Sequence, residues 1–322
     1  METDYAFFYR REVDVARLAS EVEGHDVFIS AFNSSDRVAA VFDAVNAKFK
    51  IWLMHPEYHY TPLDFPHKGE IVQPQKCDEV CQVDAVIKRV NDLNKKTVCI
   101  DITGFMRHVL VFLFAKLKYV GVKKVTVFYS EPEYYSKQED TVFSTTTSGV
   151  VRPVRGMFGS GNSDADDYLI LGVGYDHRLI SEVANYKDNT VIYPVFAFPS
   201  LSPDMYQQSA IRASQSGEIA LENGWVANRR FAPANDPFST AEVLHELVKH
   251  IEAKNVNANI YISPLSTKAQ ALGFSLFWIR DRKKFNSAIS VIIPECETYA
   301  RETSVGIKRL WEYRVEFDDF YD

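Results

Sequence analysis

Cysteine is scarce in this chain, with four in 322 residues: Cys77, Cys81, Cys99 and Cys296. So few exclude a scaffold held by disulfides. Cys99 and Cys296 lie in or beside apolar, strand-like runs and read as buried thiols. Cys77 and Cys81 stand four apart on an expected helix, but no second pair at ligand spacing follows, so no zinc site is expected. Long apolar runs are also missing. None approaches the roughly 20 residues that a membrane span needs, and no membrane partner is expected. Positive charge is not in excess: 36 Lys+Arg face 43 Asp+Glu, a net charge of −7. That argues against an extensive duplex nucleic-acid surface, which depends on many cations meeting phosphates, while leaving room for a small anion pocket. The opening Met1-Glu2-Thr3-Asp4 resembles neither a signal nor a transit peptide, so the cytoplasm is the expected compartment.

Familiar catalytic signatures are lacking as well. There is no GxSxG, no Walker A motif and no cysteine–histidine set with an orienting group. His245 and His250 imitate a metalloprotease helix, but five residues put them about 140° apart around it. His55-Pro-Glu-Tyr-His59 follows a strand and reads first as a locally bonded loop. Asp166-Asp167 and Asp318-Asp319 fall in a linker and a tail and read as solvated. Gly172-Val-Gly174 runs into Tyr175-Asp176-His177 rather than completing GxGxxG. No cofactor and no metal are expected.

What the chain does have is a rich core, 46% hydrophobic and 13% aromatic residues, arranged with alternating period. Asp26–Phe32 reads as a strand, Ser34–Ala47 as a helix with Val38, Val41, Phe42 and Val45 on one face, and Lys50–Met54 as a strand. Then come helix Asp78–Leu93, strand Thr97–Ile102, helix Met106–Tyr119 and strand Lys124–Tyr129. The pattern restarts with strand Tyr168–Val173, helix Arg178–Asn185 and strand Thr190–Phe198. It closes with helix Thr240–Ala253, strand Ala258–Ile262, helix Thr267–Ile279 and strand Ala288–Ile293. Asn235-Asp236-Pro237 is suited to cap the long helix. Strand–helix alternation predicts an α/β fold with mainly parallel sheets covered on both faces.

Gly159–Asp167, rich in Gly, Ser and Asp, is the expected linker between a unit over 1–158 and a unit over 168–322. The halves can be superposed. Phe28–Arg37 matches Leu169–Arg178, Arg107 matches Lys268, and Glu131–Tyr135 matches Glu295–Tyr299. The order is the same each time and the offset grows, which places an insertion near 199–239 in the second half. An internal duplication of two Rossmann-like units, packed as a pseudo-dimer, is expected.

In open α/β sheets ligands bind beyond the carboxyl ends of strands, where helix amino ends favour anions. Three turns qualify. Asp101-Ile-Thr-Gly-Phe-Met-Arg107 offers Thr103, Gly104 and Arg107. Asn33-Ser-Ser-Asp-Arg37 offers Asn33, Ser34 and Arg37, and its counterpart offers Gly174 and Arg178. Pro264-Leu-Ser-Thr-Lys268 offers Ser266, Thr267 and Lys268. Helix capping alone also accounts for several of these residues.

Cys99–Arg107, the apolar helix after it and Lys124–Tyr129 together resemble the CARF (CRISPR-associated Rossmann fold) superfamily. Its typical turn is Asp-x-Thr-Gly-Gly-Thr-Lys. Asp101, Thr103 and Gly104 match, and Arg107 stands in place of the Lys; Phe105 and Met106 replace the second Gly and the Thr. In the second half Thr267 and Lys268 match, whereas Leu265 replaces the Gly. The resemblance implies a nucleotide-sensing regulatory protein of a prokaryotic antiphage defence system, with a nucleotide second messenger held between the halves and an effector protein as partner. No separate nuclease domain fits in the chain. Two alternatives remain open: a non-catalytic scaffold, whose acidic aromatic tail Glu316–Asp322 anchors a partner, and a nucleotide phosphodiesterase or ring nuclease using His177 or His55. Of these, the enzyme is the less favoured.

Overall fold

The computed structural model describes residues 4–135, 144–161, 163–202, 205–214, 225–301 and 304–317. In chain order its strands are β1 (Arg10–Val13), β2 (His25–Ala31), β3 (Ala47–Leu53), β4 (Glu70–Val72), β5 (Val98–Asp101), β6 (Lys124–Tyr135), β7 (Ser144–Pro153), β8 (Asp167–Gly172), β9 (Val191–Ala197), β10 (Arg230–Ala232), β11 (Asn259–Pro264), β12 (Ala288–Tyr299) and β13 (Ser304–Glu316). The helices are α1 (Leu18–Glu21), α2 (Asp36–Ala44), α3 (Glu79–Ile87), α4 (Arg107–Tyr119), α5 (His177–Ala184), α6 (Met205–Ser214), α7 (Pro237–Lys254) and α8 (Lys268–Arg280). Every element expected from the sequence is present, with ends displaced by a few residues.

Contacts divide the chain into two compact units. The first holds Phe7–Thr145 and Glu297–Asp322; the second holds Met1–Ala6 and Thr146–Cys296. The first unit is built on a sheet of order β1-β13-β6-β5-β2-β3-β4, and the second on β10-β9-β8-β11-β12-β7. In the first, β2 to β6 run parallel, β13 is added antiparallel to β6, and β1 is added antiparallel to β13. In the second, β8 to β12 are all parallel. Counted along the chain, the five parallel strands of each sheet lie in the order 3-2-1-4-5. In such a doubly wound sheet the strand order reverses between strands 1 and 4. The α/β class and the mainly parallel sheets are as expected.

The domain boundaries differ from those expected. β7 follows β6 in the chain, yet it lies beside β12 in the second sheet, while β13 follows β12 and pairs with β6 in the first. Each fifth strand is thus flanked by a strand that the other half contributes, and neither unit is one continuous segment. The expected linker is likewise part of the second unit. The Gly159 amide donates to Ser290 Oγ at 3.0 Å, Asn255 Nδ2 donates to Asp166 at 2.7 Å, and Asp167 begins β8. Asp166 is exposed, as expected, and accepts the bond from Asn255, whereas Asp167 is half-buried and accepts from Asn259 Nδ2 at 3.0 Å. Within the expected insertion, α6 and β10 are described, and β10 is the third parallel strand of its sheet. Residues 318–322 of the aromatic tail lie outside the described residues, whereas Phe317 is buried.

Both faces of the first sheet are apolar, as parallel strands require. Phe28, Trp52, Cys99 and Phe128 pack with Val38, Val41 and Phe42 of α2, and the Phe42 and Trp52 rings stack with centroids 3.8 Å apart. The alternating residues Ile29, Ile51, Ile100 and Val127 are also fully buried. In the second unit Leu169, Leu171, Ile192 and Ile292 form the matching core with Leu179, Ile180 and Val183 of α5. Asp236 accepts from the Phe238 and Ser239 amides, so it caps α7 with Pro237 at the first helical position.

Candidate functional site

β2 and β5 are the strands flanking the reversal in the first sheet, and the turns that leave their carboxyl ends touch. A Cβ on Gly104 would lie 1.9 Å from the Ala31 carbonyl oxygen, so only glycine permits this approach. In the second unit the corresponding turns, after β8 and β11, touch as well. There the glycine sits on the opposite turn: a Cβ on Gly174 would lie 2.1 Å from the Leu265 carbonyl oxygen. Leu265 in place of the motif glycine is thus matched by Gly174 across the gap. Both glycines serve chain crossing and are buried.

Beneath the first crossing lies a buried polar network in which Arg37 Nε alone of the named groups lacks a partner among the described residues. Ser30 Oγ donates to Asp101 at 3.3 Å, and the Thr103 amide donates to its other carboxylate oxygen at 3.0 Å. Thr103 Oγ1 meets Ser130 Oγ at 3.1 Å and accepts from the Ser130 amide at 3.0 Å. Arg37 donates to the Ser130 carbonyl and, at 2.8 Å, to Ser304 Oγ. Burial pushes the Asp101 carboxyl up to about 6, outweighing its bonds to Thr103 and Ser30 and the nearby Arg37 charge. Arg37 and Thr103 were expected to face a ligand. Both are buried instead, because they tie the ends of β5, β6 and β13 to α2.

Asn33 and Ser34 reach the tyrosines of the loop after β3, and the partly exposed Arg107 is near enough for its charge to act on Tyr58. The Asn33 side chain hydrogen-bonds Tyr58, whose hydroxyl is raised first by burial and lowered in part by Asn33 and the Arg107 charge. Ser34 Oγ meets Tyr60 Oη at 3.0 Å. Arg301 closes the group from the β12–β13 connection: its guanidinium stacks 4.7 Å from the Tyr60 ring centroid, donates to the Tyr58 carbonyl and lies 3.6 Å from Asp64. The sequence reading missed Tyr58, Tyr60 and Arg301. The first two belong to the loop after β3, and Arg301 is more than 190 residues from Arg107 (301 − 107 = 194), so no local pattern joins them.

In the second unit the expected residues divide similarly. Asp176 caps α5 by accepting from the Arg178 and Leu179 amides, and half-exposed Arg178 reaches back to within 4.0 Å of it. Thr267 caps α8 through the Gln270 amide and donates to the Ala234 carbonyl; Ser266 bonds the Gln270 side chain, which donates to the Ala232 carbonyl. Ser266 and Thr267 therefore anchor α8 to the β10 region. Lys268, the first residue of α8, is partly exposed.

His55 is not placed for proton transfer to a substrate. Its Nε2 accepts from the Met106 amide at 3.2 Å, which makes Nδ1 the donor to Gln82 Oε1 at 2.6 Å. Gln82 passes the connection to Glu57, which also holds His108 Nε2 at 3.3 Å. Burial pushes the Glu57 carboxyl up, but the hydrogen bond from His108 works against it and the carboxyl lies below its ordinary value. His245 is buried against Asp281 at 3.3 Å, and His250 is exposed, so they share no site. Among the described residues no group of three or more His, Cys, Asp or Glu could hold a metal ion, and no helix is long and apolar enough to cross a membrane. All four cysteines are free, with Cys99 buried and Cys77 exposed.

A comparison with protein-family models finds no match to this chain, and a comparison with curated proteins finds none.

Proposed function

We propose that this protein is a regulatory binding protein that senses a nucleotide or nucleotide-derived anion at the strand ends of its Rossmann-like units. The observation that carries the reading is the convergence at the β2–β5 reversal. Asn33 and Ser34 of the turn after β2 meet Tyr58 and Tyr60, and Arg107 of the turn after β5 lies close enough for its charge to act on the Tyr58 hydroxyl, at the strand ends where such folds take ligands. Arginine supplies a bidentate phosphate partner, and the Tyr60 ring is already covered by Arg301. The half-exposed Arg178 and the partly exposed Lys268 mark the corresponding place in the second unit.

The shared 3-2-1-4-5 order, the crossing turns in each unit and the paired glutamates of β6 and β12 support descent from a duplicated unit. Glu131 of β6 holds Arg309 of the flanking β13, and Glu295 of β12 holds Arg152 of the flanking β7. The resemblance to the CARF superfamily extends the proposal to an antiphage defence system with a second messenger as ligand and an effector as partner. Binding then regulates by favouring one of two states of the protein.

Thermal unfolding with mono-, di- and cyclic oligonucleotides tests it. A ligand at 100 times its Kd stabilises the folded state by about 2.7 kcal/mol, a rise of several degrees in the melting of one unit. The rise should vanish in the Arg107→Ala/Lys268→Ala variant while circular dichroism shows the fold retained. No rise with any nucleotide overturns the proposal in favour of a scaffold, and turnover of a stabilising cyclic nucleotide would instead identify an enzyme.

A further inference from the structure

A second polar region lies at the amino ends of the first sheet. There the starts of β2, β5 and β6 and the end of β13 surround an open cleft of about 390 Å³. Its walls carry five cations, Lys95, Lys96, Lys123, Lys124 and Arg314, against two carboxylates, Glu23 and Glu312. Asp92 and Glu316, just outside the lining, are each paired with one of these lysines.

The charges differ in how far they are already used. Glu312 is almost wholly buried and is held by Arg11 at 2.7 Å and Arg314 at 3.5 Å. Lys95 pairs with Asp92 at 3.5 Å, and Lys124 with Glu316 at 3.4 Å. Lys96 and Lys123 form no ion pair among the described residues, and they precede the adjacent strands β5 and β6. The floor supplies an independent observation. His25 lines the cleft at 8% exposure, and its Nδ1 has no hydrogen-bond partner. A buried imidazole nitrogen without a partner is costly unless something else satisfies it.

We infer that this cleft binds a small phosphorylated molecule of up to mononucleotide size, with Lys96 and Lys123 on the phosphate and the His25 ring beneath it. The volume is within the range of small-molecule sites. The cleft is at the opposite strand ends from Asn33 and Arg107, so it is a second site that stands or falls independently of the nucleotide-sensing proposal.

Calorimetric titration of the full chain with inorganic pyrophosphate and with 5′-AMP tests the inference, together with the His25 ring resonances by NMR. At least one probe should bind and shift the His25 signals, and the Lys96→Ala/Lys123→Ala variant should weaken that binding at least tenfold. Both lysines are exposed, so the variant should fold normally. Absence of binding by either probe at 10 mM (about the weakest useful affinity) overturns the inference. So does binding that the lysine variant leaves unchanged, or binding lost in Arg107→Ala/Lys268→Ala, which would put the anion at the other strand ends.

Discussion

Asp101 gives the sharpest prediction because its environment works against its charge. The carboxyl is fully buried at the end of β5 and is pushed up to about 6 from an ordinary 3.8. Between these values the folded state holds more of this proton than the unfolded chain does. Stability therefore falls as pH rises from about 4 to about 6, and the loss persists above that range. Two pH units correspond to about 3 kcal/mol, and the shift already includes the attraction of Arg37. Asp101→Asn keeps an oxygen for the Thr103 amide and lets Ser30 Oγ become an acceptor. It adds one amide N–H without a partner, at about 1 kcal/mol. The variant should thus be about 2 kcal/mol more stable than wild type at pH 7.5 and no more stable at pH 4. Urea unfolding from pH 4 to 8 measures this, with hydrogen exchange of β2 and β5 peptides reporting the first unit separately. Other carboxylates titrate in the same range, so the diagnostic quantity is the difference between the two proteins. A variant destabilised at pH 7.5, or a difference that does not change with pH, would refute the account of Asp101.

Gly104→Ala and Gly174→Ala should each destabilise their unit by about 3 kcal/mol, since both put a Cβ within 2.1 Å of a backbone oxygen. Gly156→Ala, with φ of +72° but open space around it, should cost only about 1 kcal/mol, which denaturant midpoints will separate. Glu131 is fully buried beneath Arg309 and Trp311, and since the Arg309 left behind is a third exposed, Glu131→Ala should cost about 2 kcal/mol. Its counterpart Glu295 is 40% exposed, and Glu295→Ala should cost no more than about 1 kcal/mol. Asp281 accepts from Tyr5 at 2.8 Å and from Lys284 at 2.7 Å. Although burial pushes it up, its bonds to His245, Lys284 and Tyr5 prevail and hold its carboxyl down at about 2. It therefore stabilises the second unit above about pH 4 and loses that contribution as pH falls toward 2; Asp281→Asn should flatten the acid limb of that unit's unfolding curve.

The parallel cores were legible because strands buried on both faces are continuous apolar runs, and helices carry a 3.6-residue period. β13 was not. Its sequence, Ser304–Glu316, is rich in charge, and it forms a strand because Arg309 and Trp311 meet buried Glu131 on β6. A pairing about 180 residues away leaves no local signal (311 − 131 = 180). The three-residue strands β4 and β10 were missed for a related reason: they are edge-ward additions too short to show a period. At the site, the turns were readable from small and polar residues at strand ends. Which side chains stay available was not, because Arg37 and Thr103 are claimed by Ser130 and Ser304, both distant in sequence.

The two glycines sharpen what the motif means. Read along the sequence, Leu265 in place of glycine looks like a lost ligand turn in the second half. Spatially, what both units retain is close passage of the turns leaving strands 1 and 4, and either turn can supply the residue without a side chain. The first unit uses Gly104 against Ala31 and the second uses Gly174 against Leu265. A reciprocal exchange should therefore be harmful on either side alone. Leu265→Gly leaves Gly174 still indispensable, because Gly174 meets the Leu265 backbone oxygen and not its side chain. If Gly174→Ala were rescued by Leu265→Gly in a double-mutant cycle, the contact would be one of side-chain volume. Independent, additive losses would show that the constraint is backbone against backbone, and that chain crossing, before any ligand, fixes glycine in these turns.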